Sequence, residues 1–165
     1  MKKFIVLLLL LLPMGAFSQE MKIAFVDFQE VFNTMPELEE AETKYAAIRA
    51  QYEEQIKALQ TEYNTKLEEY MKIESTLPEN LKLRRQEELQ QLSDRYNNFI
   101  PQVQQDLEQE EMKLMSPLQE KVVNAINAVA EEQGYDYTFN SQVLFHTGKN
   151  AVDATPLVKA KLGIK

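Results

Sequence analysis

The chain contains no cysteine and a single histidine, His146, among its 165 residues. Without cysteine it neither uses nor needs disulfides in an oxidising compartment, and lipid attachment at a cysteine is excluded. A lone histidine at the end of an apolar run reads as structural rather than catalytic. Glycine is scarce as well. None occurs between Pro36 and Gly134, and Gly134, Gly148 and Gly163 are too scattered to build a phosphate-cradling loop. ATP dependence is therefore not expected. The acidic pairs Glu39-Glu40, Glu68-Glu69 and Glu110-Glu111 lack a histidine or aspartate cluster nearby and read as solvated helix faces. No catalytic set, cofactor or metal site is predicted, and the chain reads as a protein that is not an enzyme.

What is present begins at the N-terminus. Met1-Lys2-Lys3, an apolar run from Phe4 to Leu12, and Ala16-Phe17-Ser18 have the layout of a secretory signal peptide cleaved after Ser18. The apolar run is too short for a permanent membrane span. Removing Lys2 and Lys3 leaves 16 basic against 26 acidic residues, a net charge of −10. That charge favours solubility and disfavours nucleic-acid binding.

The glycine-free stretch is rich in Glu, Gln, Leu, Lys and Ala, the composition of long helix. Thr34-Met35-Pro36-Glu37 and Thr76-Leu77-Pro78-Glu79 each combine a hydroxyl cap, an early proline and a first-turn acid, so two helices are expected. Apolar residues recur at steps of mostly 3 and 4 from Leu38 to Leu77, and again from Leu81 to Val129. The expected fold class is α+β: an antiparallel helical hairpin over 37–116, its tip near 77–82, projecting roughly 60 Å from a small β body. Residues 19–36 and 117–165 would form that body. Pro101 should kink the return limb, and Ser116-Pro117 marks a second kink or a restart. In the body, Lys22–Asp27 reads as a buried strand and Asp27 with Glu30 as the start of a short helix. Tyr135–Phe139 and Val143–His146 read as two strands joined near Asn140-Ser141-Gln142, and Thr155-Pro156 opens a last helix.

A body this small, with open strand edges, calls for subunit association. Ile23, Phe25, Val26, Tyr137, Phe139 and Leu144 are the expected contact residues. Tyr45, Tyr52, Tyr63 and Tyr70 share one face of the first helix. They form a coiled-coil seam or, packing imperfectly, offer aromatic surface to unfolded chains, as flexible Met112 and Met115 could. At the tip, Lys72, Lys82, Arg84 and Arg85 oppose only Glu74 and Glu79, a local basic cluster suited to anionic head groups.

The order of these parts resembles the OmpH/Skp family of periplasmic chaperones. The likeness rests on the signal peptide, Lys22-Ile23-Ala24-Phe25-Val26-Asp27-Phe28-Gln29-Glu30-Val31-Phe32, the charged arm and Gln133-Gly134-Tyr135-Asp136-Tyr137. It implies a homotrimer in the periplasm of a bacterium with an outer membrane, whose three arms enclose unfolded outer-membrane proteins without ATP. It also implies a lipopolysaccharide-binding cluster, echoed here by Lys72, Arg84 and Arg85. Better-known members are strongly basic, whereas this chain is acidic with a basic tip. Two other readings stand beside it. One is a coiled-coil spacer of the cell envelope, which would need an anchor. The other is a prefoldin-like chaperone, a cytosolic class that the signal peptide disfavours.

Overall fold

The structure, a computed structural model, describes residues 21–164; the expected signal peptide and its cleavage point lie outside them. Strand β1 (Ile23–Val26) leads through Asp27 into helix α1 (Phe28–Asn33). The Asp27 carboxylate accepts from the Glu30 amide at 2.9 Å, as the sequence spacing predicts. Helix α2 (Pro36–Ile73) runs outward for 38 residues, about 57 Å at 1.5 Å per residue, and ends in a short 3₁₀ turn, Glu74–Thr76. Helix α3 (Glu79–Gln133) returns over 55 residues. Strand β2 (Tyr137–Asn140), strand β3 (Ala151–Asp153) and helix α4 (Thr155–Lys161) complete the chain.

Two expected helix caps point the other way. Thr34 Oγ1 donates back to the carbonyls of Glu30 and Val31, and Thr76 Oγ1 to that of Ile73. Each hydroxyl closes the preceding helix, and α2 takes Met35 as its N-cap and Pro36 as its first residue. Pro36 does supply a start: its fixed φ suits a first turn, where a missing N–H has no partner to lose, whereas Pro78 stands one residue earlier, as the N-cap of α3. Gly134 stops α3 as expected, with φ 66° and its amide on the Ala130 and Glu131 carbonyls.

Helix α3 passes through Pro101 and Pro117 without a break, so the restart expected at Ser116-Pro117 does not occur. Both prolines are exposed, which leaves the carbonyl that each deprives of a donor open to water. Arm and body therefore share one helix, and the boundary at 117 is a point along it.

The sheet corrects a second expectation. Val143–His146 is not a strand, and no hairpin forms: 141–143 is a 3₁₀ turn and β3 lies further on. Strand β1 is central, with β2 and β3 both parallel to it, in the order β2-β1-β3. Parallel pairing requires a crossover. The whole arm serves between β1 and β2, and residues 141–150 return the chain to β3. Ala24 and Val26 point into the core with Val31, Val122, Val129, Ala154 and Val158. Val26, expected at a subunit contact, is 1% exposed and belongs to the core of the chain itself. Ile23 and Phe25 alternate to the opposite face, in register with Tyr137 and Phe139.

Candidate functional site: the arm, its tip and its root

The 3- and 4-residue stripe becomes the seam between α2 and α3. Tyr45, Tyr52 and Tyr63 are half-buried in it, while Tyr70 is 7% exposed. Cross-arm contacts fix the register. Tyr52 Oη donates to Asp106 at 3.2 Å with its ring 6.4 Å from that of Phe99, and Gln86 Nε2 donates to Tyr70 Oη at 2.9 Å. Lys66 meets Glu88 at 3.3 Å, and Lys121 pairs with Glu37 at the root. Burial, reinforced at Tyr52 by the Asp106 carboxylate, raises the phenol pKa of Tyr52 and Tyr70. The hydrogen bond from Lys121 lowers that of Glu37.

Of the tyrosines expected to touch clients, Tyr70 is consumed by the hairpin: it also donates to Glu74 at 3.2 Å and locks the tip. Tyr63 keeps open surface, lining with Tyr96, Gln60, Asn64 and Ser93 a hollow of about 260 Å³ where the seam packs imperfectly. Met112 is 59% exposed. Half-buried Met115 packs against the body core. Both line a groove of about 440 Å³ at the arm's root, formed by Phe32 and Asn33 of α1, Leu38 and Glu42 of α2, and Glu111 and Gln119 of α3. The methionines were legible in the sequence. The groove was not, because it exists only once α1 folds over the base of the arm and stacks Phe28 on Phe32 at 6.0 Å.

At the tip, the basic cluster divides. Arg85 lies 2.8 Å from Glu88, and Lys82 lies 3.8 Å from Glu79. Lys72 and Arg84 are exposed and form no ion pair among the described residues. Beside them stand exposed Met71, Ile73, Leu81 and Leu83, an apolar surface that attention to charge alone overlooks. In the body, Tyr137 and Phe139 stack with centroids 6.2 Å apart and are partly open to solvent, and Phe145 is fully exposed. Among the described residues, no helix is long and apolar enough to cross a membrane.

A comparison with curated proteins finds none that matches. Among solved structures, this chain is similar to an OmpH-like protein from Caulobacter crescentus CB15, described as an outer membrane chaperone candidate, with a TM-score of 0.75. The two share 13% sequence identity, over 86% of this chain and 83% of that one, so the likeness is one of fold. The family described as outer membrane protein (OmpH-like) matches residues 22–162, which is nearly the whole described chain. Mostly helical, with a long two-helix arm on a three-stranded body, the chain belongs to the OmpH-like family.

Proposed function

We propose that the protein is an ATP-independent holding chaperone of the periplasm that binds unfolded outer-membrane proteins and keeps them from aggregating. The observation that carries this reading is apolar surface left open along and beneath a projecting arm: the Tyr63–Tyr96 hollow and the groove at Met112 and Met115. Many shallow apolar contacts retain an unfolded chain without sequence preference and leave it mobile, and methionine adapts its shape to varied partners. Holding of this kind calls on no catalytic group, cofactor or nucleotide.

A homotrimer fits the body. Ile23, Phe25, Tyr137 and Phe139 form an apolar stretch of the sheet face, bordered by Asp153 in register with Phe25, and the link carrying Val143, Leu144 and Phe145 adds exposed apolar surface. A cover of apolar groups suits this stretch better than water does, and further copies of the chain supply one. Light scattering of the mature protein is expected to give about three times the chain mass. At the tip, Lys72 and Arg84 beside Met71 and Leu83 suit transient contact with an anionic membrane surface.

The experiment is to dilute a urea-denatured β-barrel membrane protein into buffer with and without the mature protein and follow turbidity. Suppressed aggregation at stoichiometric chaperone is expected. Aggregation at an unchanged rate would refute the reading.

A further inference from the structure

The arm-root groove is not uniformly apolar. Phe32, Leu38, Met112 and Met115 form its floor, and Glu42 from α2 and Glu111 from α3 stand among its lining. Neither carboxylate takes part in an ion pair or a side-chain hydrogen bond among the described residues. The cations nearest in sequence are committed elsewhere: Lys113 to Glu110 at 2.7 Å, Lys44 to Glu40 at 2.6 Å, and Lys121 to Glu37. The groove thus presents two uncompensated negative charges beside an exposed methionine.

We infer that this groove selects client segments in which an apolar side chain is accompanied by a lysine or arginine. It rests on the chaperone reading above and specifies which parts of a client are gripped there. An extended segment places alternate side chains on opposite faces. An aliphatic or aromatic residue enters the floor, and the long stem of a lysine or arginine two positions along, on the same face, lies along the apolar wall while its charge reaches a carboxylate. A glutamate at the same position meets like charge from Glu42 and Glu111. Partly exposed pairs are individually modest, and two of them set a discrimination of about five- to tenfold between such segments.

The test uses the full mature protein and two fluorescein-labelled extended peptides with identical apolar residues, one carrying lysine and the other glutamate at the polar positions. Titrations by fluorescence anisotropy are expected to show the lysine peptide binding about five- to tenfold more tightly. Glu42→Gln/Glu111→Gln should shrink that ratio below about twofold, and Met112→Ser should weaken both peptides alike. Glu54→Gln/Glu108→Gln, which removes the same charge from exposed arm positions, should leave the ratio intact. Equal binding of the two peptides, or a ratio that falls equally in both double variants, would overturn the inference and assign any preference to overall charge. Suppression of barrel-protein aggregation is measured on the same samples. A protein that suppresses aggregation without discriminating between the peptides loses only this selectivity, whereas one that fails to suppress it loses the chaperone reading itself.

Discussion

The body and the arm are built from the same kinds of residue but differ in how far they exclude water. In the body, Ala24, Val31, Val122 and Val158 have no exposed surface, since a sheet, three helices and the base of the arm meet over them. Along the arm beyond Leu38, which packs into the body core, only Ala41, Tyr70 and Val103 are buried, and the other seam residues keep one side in solvent. Two helices enclose little: most seam side chains touch one partner helix and then water. Stability is therefore concentrated at one end, and the arm is held turn by turn through pairs such as Tyr52–Asp106 and Tyr70–Gln86. Under the chaperone function proposed above, a holder of mobile chains would benefit from this division between a firmly packed body and a limb held by weaker local pairs.

The comparison breaks most clearly at the core. Val122→Asp places an unpaired charge where no water reaches, at a cost above about 4 kcal/mol, which is a large share of the stability of a small body. Ile56→Asp, at a half-exposed seam position of the arm, should cost about 1 kcal/mol. Circular dichroism melts are expected to show the cooperative transition lost in the first variant and kept in the second. Equal losses would mean that arm and body fold as one unit.

Pro101 sharpens the difference in the opposite direction. Its ring removes from α3 the hydrogen bond that position 101 would donate to the Asn97 carbonyl, and a proline in a helix interior costs about 3 kcal/mol relative to a good helix former. Pro101→Ala should restore the bond and stabilise the arm locally by about 2 kcal/mol. Amide exchange over residues 97–104, expected to be faster than in neighbouring turns of the wild type, should then slow markedly. If those amides already exchange no faster than their neighbours, the proline is a passive feature of a straight helix and no hinge lies there.

The seam was legible because helix periodicity is local: from Leu38 to Leu77 every residue of the expected stripe is at least half-buried. Gly134, the early prolines of α2 and α4 and the Asp27 cap were legible for the same reason. Sheet pairing is decided at a distance, and there the sequence misled. Val143–His146 is more apolar than Ala151–Asp153, yet the latter lies beside Ile23–Phe25 and forms the strand. Val26 was placed at an interface because a continuous apolar run conceals which alternate residues face inward. The threonines were misassigned because a hydroxyl before a proline can cap the next helix or bond back to the last, and both bond back. The arm-root groove lay beyond sequence reading because its walls come from three helices.

The smallest expected effect lies where the two regions join. Lys121 of α3 pairs with Glu37 in the first turn of α2, a position that also favours a negative charge through the helix dipole. The hydrogen bond from Lys121 holds the Glu37 pKa below its ordinary value, about 4.3 in an unfolded chain. A depressed folded pKa means that the native state binds fewer protons over this range than the unfolded one. The pair's contribution is thus fully present above about pH 4.3 and drains away as pH falls through the lower folded value. Both side chains are substantially solvated, which limits that contribution to about 0.5 kcal/mol and makes it sensitive to salt. Glu37→Gln should accordingly lower the melting temperature slightly at pH 7 and low salt. The gap between variant and wild type should close near pH 3 and narrow in molar salt. A gap that persists unchanged at acidic pH would show that Glu37 braces the arm's root by packing rather than by charge, and the junction would then belong with the body's solvent-excluding core rather than with the solvated arm.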